Sequence, residues 1–275
     1  ESLIIDGKGG ALNGFQKWIS SDGTVNSLNF CPASIASTII LHEMPNFLEI
    51  GIAGVDNSTI EVTVKDLSIK QFNGIANVRK NASLTLEDFK ADEIWSTLIC
   101  GATDILSTSE GGSLTLKNSE ITNSQTWEGV PIISGDASDL TIEECFFYNI
   151  NNRKQYLVFW NGQTGSEVNI VSSRFMLSGG IFIDGNVSTS NIVNSSWVNE
   201  DTSIPYAGDR IVNNAIGDMN IIASTFMWNS NVCSTCQDYL FESKVGKINF
   251  IESAVGINYP GSASDNLNTL GGTGT

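Results

Sequence analysis

The sequence is poor in cations and nearly devoid of histidine. Lys and Arg together number 14 against 30 Asp and Glu, for a formal charge of −16, and His42 is the only histidine. So acidic a surface repels phosphate backbones and anionic lipid, so neither nucleic acid nor a charged membrane surface is an expected partner. A zinc site at the single Cys-x-x-Cys, Cys233 to Cys236, would need a second such pair or nearby histidines, and His42 is far off in sequence. No run of 18 apolar residues occurs, which leaves no candidate for insertion into a membrane as a helix. There is no Asp-Asp dipeptide, no histidine between glycines, no nucleophile elbow, no phosphate-binding loop and no dinucleotide fingerprint. The carboxylate excess suits Ca²⁺, which prefers oxygen ligands, although charge of this kind also simply keeps a long β-rich surface soluble.

What is present is core-forming material in a repeating order. Hydrophobic residues make up 41% of the 275 positions, too many for a disordered chain, and 26 glycines with abundant Ser, Thr, Asn, Val and Ile disfavour helices. One pattern recurs: apolar, Thr or Asn, apolar, two variable residues, a small residue, one variable residue and an apolar one. It begins at Leu28, Val62, Leu84, Leu114, Leu140, Val168, Ser190, Met219 and Ile248, at intervals of 22 to 34 residues. A weaker copy starts at Leu3. Within each copy the first three positions alternate inward, outward, inward, as a strand requires. The fourth and fifth form a turn, marked by Asp66, Asp88, Asn118 and Asn194. The sixth (Ser119, Cys145, Ser173, Ser195, Ser224, Ser253) and the eighth (Ile35, Ile69, Ile121, Phe147, Phe175, Trp197, Phe226, Val255) point inward again.

Copies at this spacing predict an all-β chain: a single-stranded parallel β-helix, or solenoid, of about nine coils, each of two or three strands with variable loops. The domain reading is an N-terminal coil or cap over 1–27, coils over 28–260 and a linker-like tail over 261–275. The Gly- and Thr-rich end and the start at Glu1 suggest a segment of a longer or processed precursor.

The outward second position reads Asn29, Thr63, Thr85, Thr115, Thr141, Asn169, Asn191, Asn220 and Asn249. Such a column can bind an ordered surface such as ice or a glycan, or it can simply bond coil to coil. Cys233 and Cys236 are candidates for a local disulfide, the alternative being two unbridged thiols; five cysteines leave at least one thiol unpaired within the chain. Asn57, Asn81, Asn186 and Asn194 open N-x-Ser/Thr sequons and are glycosylation candidates for a secreted chain. Trp18, Trp95, Trp127, Trp160 and Trp228 fall outside the inward columns and are candidates for stacking on sugars, with Trp160 equally suited to burial in another strand.

The repeat over about residues 28–255 resembles the right-handed parallel β-helix superfamily. Gly9-Gly10-Ala11-Leu12, the partial Gly179-Gly180-Ile181, and Phe-x-x-Asn at residues 146–149 and 226–229 resemble the tetrapeptides of polymorphic outer-membrane-protein-like surface proteins of bacteria and protists. That resemblance implies a secreted or cell-surface adhesin or coat protein without catalytic residues. Its expected partners are other β-helix modules, copies of itself, and glycans. The alternative is a carbohydrate-active β-helix enzyme, a polysaccharide lyase or glycoside hydrolase. Its carboxylates would come from turn residues stacked one coil apart, Asp66 with Asp88, or Glu143 or Glu144 with a loop acid. A lyase base would come from Asp209-Arg210 or Arg153-Lys154.

Overall fold

The computed structural model describes residues 2–13, 18–19, 25–26, 46–52, 54–56, 60–72, 74–94, 104–109, 111–126, 130–137, 139–150, 156–199, 210–229, 240–258 and 270–272. Among these residues every regular element is a strand, and the protein is all-β with long parallel sheets. A fifteen-stranded sheet and a nine-stranded sheet are parallel throughout; only the short pair Trp18–Ile19 and Val25–Asn26 is antiparallel.

The larger sheet consists of two ladders that share their first rungs. Ser2–Asn13, Glu61–Lys70 and Ser83–Asp92 run through both. The first half of Ser83–Asp92 pairs with Ser113–Lys117 and its second half with Glu120–Thr122. Beyond that point each pass of the chain splits into two short strands. The first face continues with Leu140–Glu143, Glu167–Val171, Thr189–Val193, Asp218–Ile222 and Ile248–Ile251. The second continues with Phe146–Tyr148, Arg174–Met176, Ser196–Asn199, Thr225–Asn229 and Ala254–Asn258. The third face is the smaller sheet: Asn46–Ile50, Gly74–Val78, Leu106–Thr108, Ile133–Ala137, Val158–Gly162, Ile181–Gly185, Ile211–Asn213, Phe241–Ser243 and Leu270–Gly272. From Glu61 onward the chain visits the three faces in the same order on every pass.

The bend between the first two faces has a local cause. Asp66, Asp88, Asn118, Glu144, Ser172, Asn194, Ala223 and Glu252, the fifth residues of their repeats, all have φ between 44° and 53°. One left-handed residue turns the strand without a loop. Asp and Asn tolerate that conformation best because their short polar side chains bond locally.

Inside, the columns stack like on like. Val64, Leu86, Leu116, Ile142, Ile170, Ile192 and Ile221 are third-position residues in continuous register, and all are buried. The eighth position carries Phe147, Phe175, Trp197 and Phe226, whose rings stack with centroids 5.0, 3.6 and 5.7 Å apart. Trp160 is also fully buried, seated over Gly135 in the adjacent strand, where a Cβ would collide with the indole. Burial removes Trp160 from the set of sugar-stacking candidates. Trp95 and Trp127 lie outside the described residues.

The strand in register with Val62–Val64 is Leu3–Ile5, not a segment beginning at Leu28. Ile4 therefore sits beside Thr63, in the place the repeat reading gave to Asn29; Asn29 and Ile35 lie outside the described residues. Leu270–Gly272, within the Gly- and Thr-rich end segment, pairs parallel with Phe241–Ser243.

Candidate functional site

Thr63, Thr85, Thr115, Thr141, Asn169, Asn191, Asn220 and Asn249 lie directly beside one another, one per rung. The amides bond in series: Asn191 Nδ2 donates to Asn169 Oδ1 at 2.9 Å, Asn220 to Asn191 at 3.1 Å and Asn249 to Asn220 at 3.0 Å. Asn191 and Asn220 thus each spend a donor and an acceptor on their neighbours, which staples these rungs together.

The sixth position forms a second, buried ladder. Ser173 Oγ accepts from Cys145 N–H, Ser195 Oγ from Ser173 N–H, Ser224 Oγ from Ser195 N–H and Ser253 Oγ from Ser224 N–H, each at 3.1 Å. Each hydroxyl donates to the carbonyl two residues before it, for example Ser195 to Val193 O at 2.9 Å. Small side chains are needed because only a hydroxyl one bond from Cβ reaches both partners. Cys145 takes the place of a serine in this column: its Sγ donates to Glu143 O at 3.2 Å, the carbonyl two residues before it, and burial pushes its thiol up to about 11.

A groove of about 550 Å³ lies outside the third face. Its origin is a step in one outward column. Asn77, Ser107, Ser134, Phe159 and Phe182 are consecutive rungs of that column. Phe159 and Phe182 stack at 5.2 Å, while Ser107 and Ser134 are small. The surface drops where the rings end, and Phe159 becomes a wall. Phe182 covers one side of the Phe159 ring; the in-register neighbour on the other side is Ser134, which has no ring to cover it. Asp104 and Asp136 also line the groove. Ser134 Oγ donates to Asp104 Oδ2, yet loss of water around the carboxyl dominates and pushes Asp104 up to about 6. Asp136 is exposed and accepts from Asn161 Nδ2 at 3.1 Å. Thr108, also in the lining, is 6% exposed and its hydroxyl has no hydrogen-bond partner.

The turn carboxylates do not form an equivalent cluster. Asp88 accepts from Asn118 Nδ2, Glu143 pairs with Lys117 at 3.9 Å, and Asp66 and Glu144 are exposed at their bends. Arg210 faces Glu242 at 3.7 Å; Asp209, Arg153 and Lys154 lie outside the described residues. Of the sequon asparagines, Asn81 donates to Asp56 Oδ1 at 2.8 Å, Asn194 donates to Ser172 Oγ at 3.1 Å, and Asn186 is exposed in a turn. Asn57, Cys233 and Cys236 lie outside the described residues. Among the described residues no group of three or more His, Cys, Asp or Glu is placed to hold a metal ion, and no helix is long and apolar enough to cross a membrane.

Asp104, Ser134 and Phe159 were not singled out by the repeat. Asp136, Asn161 and Phe159 belong to strands whose distance from the repeat varies from pass to pass, so no column was visible there. The one available signal was YLVFWNG at residues 156–162, a dense aromatic run. No family model, no curated protein and no solved structure matches the chain.

Proposed function

We propose that the chain is a right-handed parallel β-helix of about nine coils and serves as an extracellular structural or adhesive module of a larger surface protein. Right-handedness is the rule for parallel strands joined by crossovers in one sheet. Nine strands on the third face, with the three faces visited in constant order, support the coil count. The observation that carries the function is the second-position ladder. Its residues stand in register over eight consecutive strands, and the amides of Asn169, Asn191, Asn220 and Asn249 bond rung to rung, the economy of a scaffold that must hold its shape. The acidic surface keeps such a rod soluble. Antibodies against the chain, applied to intact unpermeabilised source cells before and after protease shaving, test the location. Surface label that is lost on shaving is expected; label seen only after permeabilisation would overturn the reading.

A second reading, a carbohydrate-active enzyme, is favoured by one feature. Burial pushes the Asp104 carboxyl up to about 6, and Asp104 lines the same groove as Asp136; cleavage of a glycosidic bond by general acid–base catalysis uses two carboxyl groups in one cleft. Reducing-end and unsaturated-product assays across a polysaccharide panel test it. Turnover abolished by Asp104→Asn supports this reading, and absence of turnover across the panel rejects it.

A further inference from the structure

The groove on the third face has the parts of a saccharide site. It has an aromatic wall with one face uncovered, two carboxyl groups beside that wall, and hydroxyl and amide side chains on its floor. A pyranose has an apolar face of C–H groups that packs on an aromatic ring, with hydroxyls around its edge that donate best to carboxylates. The volume, about 550 Å³, falls within the range of about 300–1,000 Å³ usual for ligand clefts. We propose that this groove binds a neutral glycan, one sugar ring lying on the open face of Phe159 and donating hydroxyl hydrogen bonds to Asp104 and Asp136.

Two observations bear on the ligand and on the room it has. The described lining contains Asp104 and Asp136 but no Lys or Arg, so uronate, sulfated and phosphorylated sugars would meet like charge. Ser107 and Ser134 are the small residues that leave room beside the ring: Ser107 Oγ donates to Asn77 Oδ1 at 3.3 Å and Ser134 Oγ to Asp104. Had the stack of rings continued through residue 134, there would be no groove.

The inference deepens the adhesive part of the proposed function and takes only its biological setting from it. The test is calorimetric titration of the whole chain with oligosaccharides of neutral glucan, mannan, galactan and xylan, and with oligogalacturonate as the anionic counterpart. At least one neutral oligosaccharide should bind, with oligogalacturonate at least about tenfold weaker. Phe159→Ala should weaken binding about tenfold or more. Ser134→Phe, which extends the ring stack over the groove, should abolish it. Both positions point outward, and circular dichroism with a melting curve separates loss of the site from loss of the fold. Saturation-transfer NMR on the unmodified protein provides a readout independent of either variant: ring protons should saturate the axial C–H protons of the bound sugar. No binding across the neutral panel, equal binding of oligogalacturonate, or binding indifferent to both variants would overturn the assignment. Surface labelling of cells is unaffected by any of these outcomes, so the site can fail while the surface-module reading stands.

Discussion

The rings of Phe175 and Trp197 lie 3.6 Å apart at centroid and within 7° of parallel, one rung above the other in the interior. Phe147 and Phe226 extend the same stack on either side. A parallel in-register stack forces this arrangement, because each side chain meets the same position of the next pass.

Truncating Trp197 should therefore be among the costliest single changes. Trp197→Ala removes the ring that both Phe175 and Phe226 pack on and leaves the Gly179 carbonyl without the indole N–H it accepts at 3.3 Å. The expected loss is about 3–5 kcal/mol, measured by urea unfolding. Trp197→Phe should cost less than half of that.

Serine at the buried corner should resist replacement for a different reason. Ser173→Ala keeps the volume nearly constant but leaves Cys145 N–H buried without its acceptor. A loss of about 1–3 kcal/mol is expected, with faster hydrogen exchange at the Cys145 amide than at other buried amides of that rung.

Cys145 itself should be chemically silent. Burial raises its thiol to about 11, so at pH 8 on the order of one molecule in a thousand carries the reactive thiolate. Alkylation followed by peptide mass spectrometry should leave Cys145 unmodified in the folded protein and modify it fully in urea. Modification of the folded state at the unfolded rate would show that the corner opens.

The carboxyl of Asp104 gives a pH dependence of definite sign. Its folded value, about 6, lies above the ordinary value near 3.8, so the folded state holds the proton more tightly and stability falls as pH rises between those two values. Above pH 6 the penalty is complete. After allowance for solvent on the groove side it amounts to about 1–2 kcal/mol. Asp104→Asn should raise the melting temperature at pH 7.5 and change it little at pH 4. An equal shift at both pH values would assign the effect to packing.

The first bend should accept improvement. Ala223 holds φ 49° with an exposed side chain, while Asn118 and Asn194 hold the same place in other rungs. Ala223→Asn should stabilise by about 0.5–1 kcal/mol in thermal unfolding, by relieving a left-handed conformation that alanine adopts poorly.

Two faces of this protein and the bend between them were legible in the amino-acid order alone. Their residues recur at constant offsets: alternation marks which side is buried, Asp or Asn marks half of the left-handed corners, and parallel register then converts a column in the sequence into a ladder in space. The third face was not legible. It follows the second after connections of unequal length, from Thr122 to Ile133 in one pass and from Met176 to Ile181 in another, so its columns share no fixed offset. The groove belongs wholly to that face. Asp104, Ser134 and Phe159 meet only after folding has absorbed those connections, and the step that opens it is the difference between serine and phenylalanine on neighbouring rungs. The choice of first rung was tertiary too: Leu3 and Leu28 both begin a plausible copy, and pairing with Val62 selects Leu3. Local alternation shows which residues face inward, but which strand becomes whose neighbour depends on the path of the whole chain.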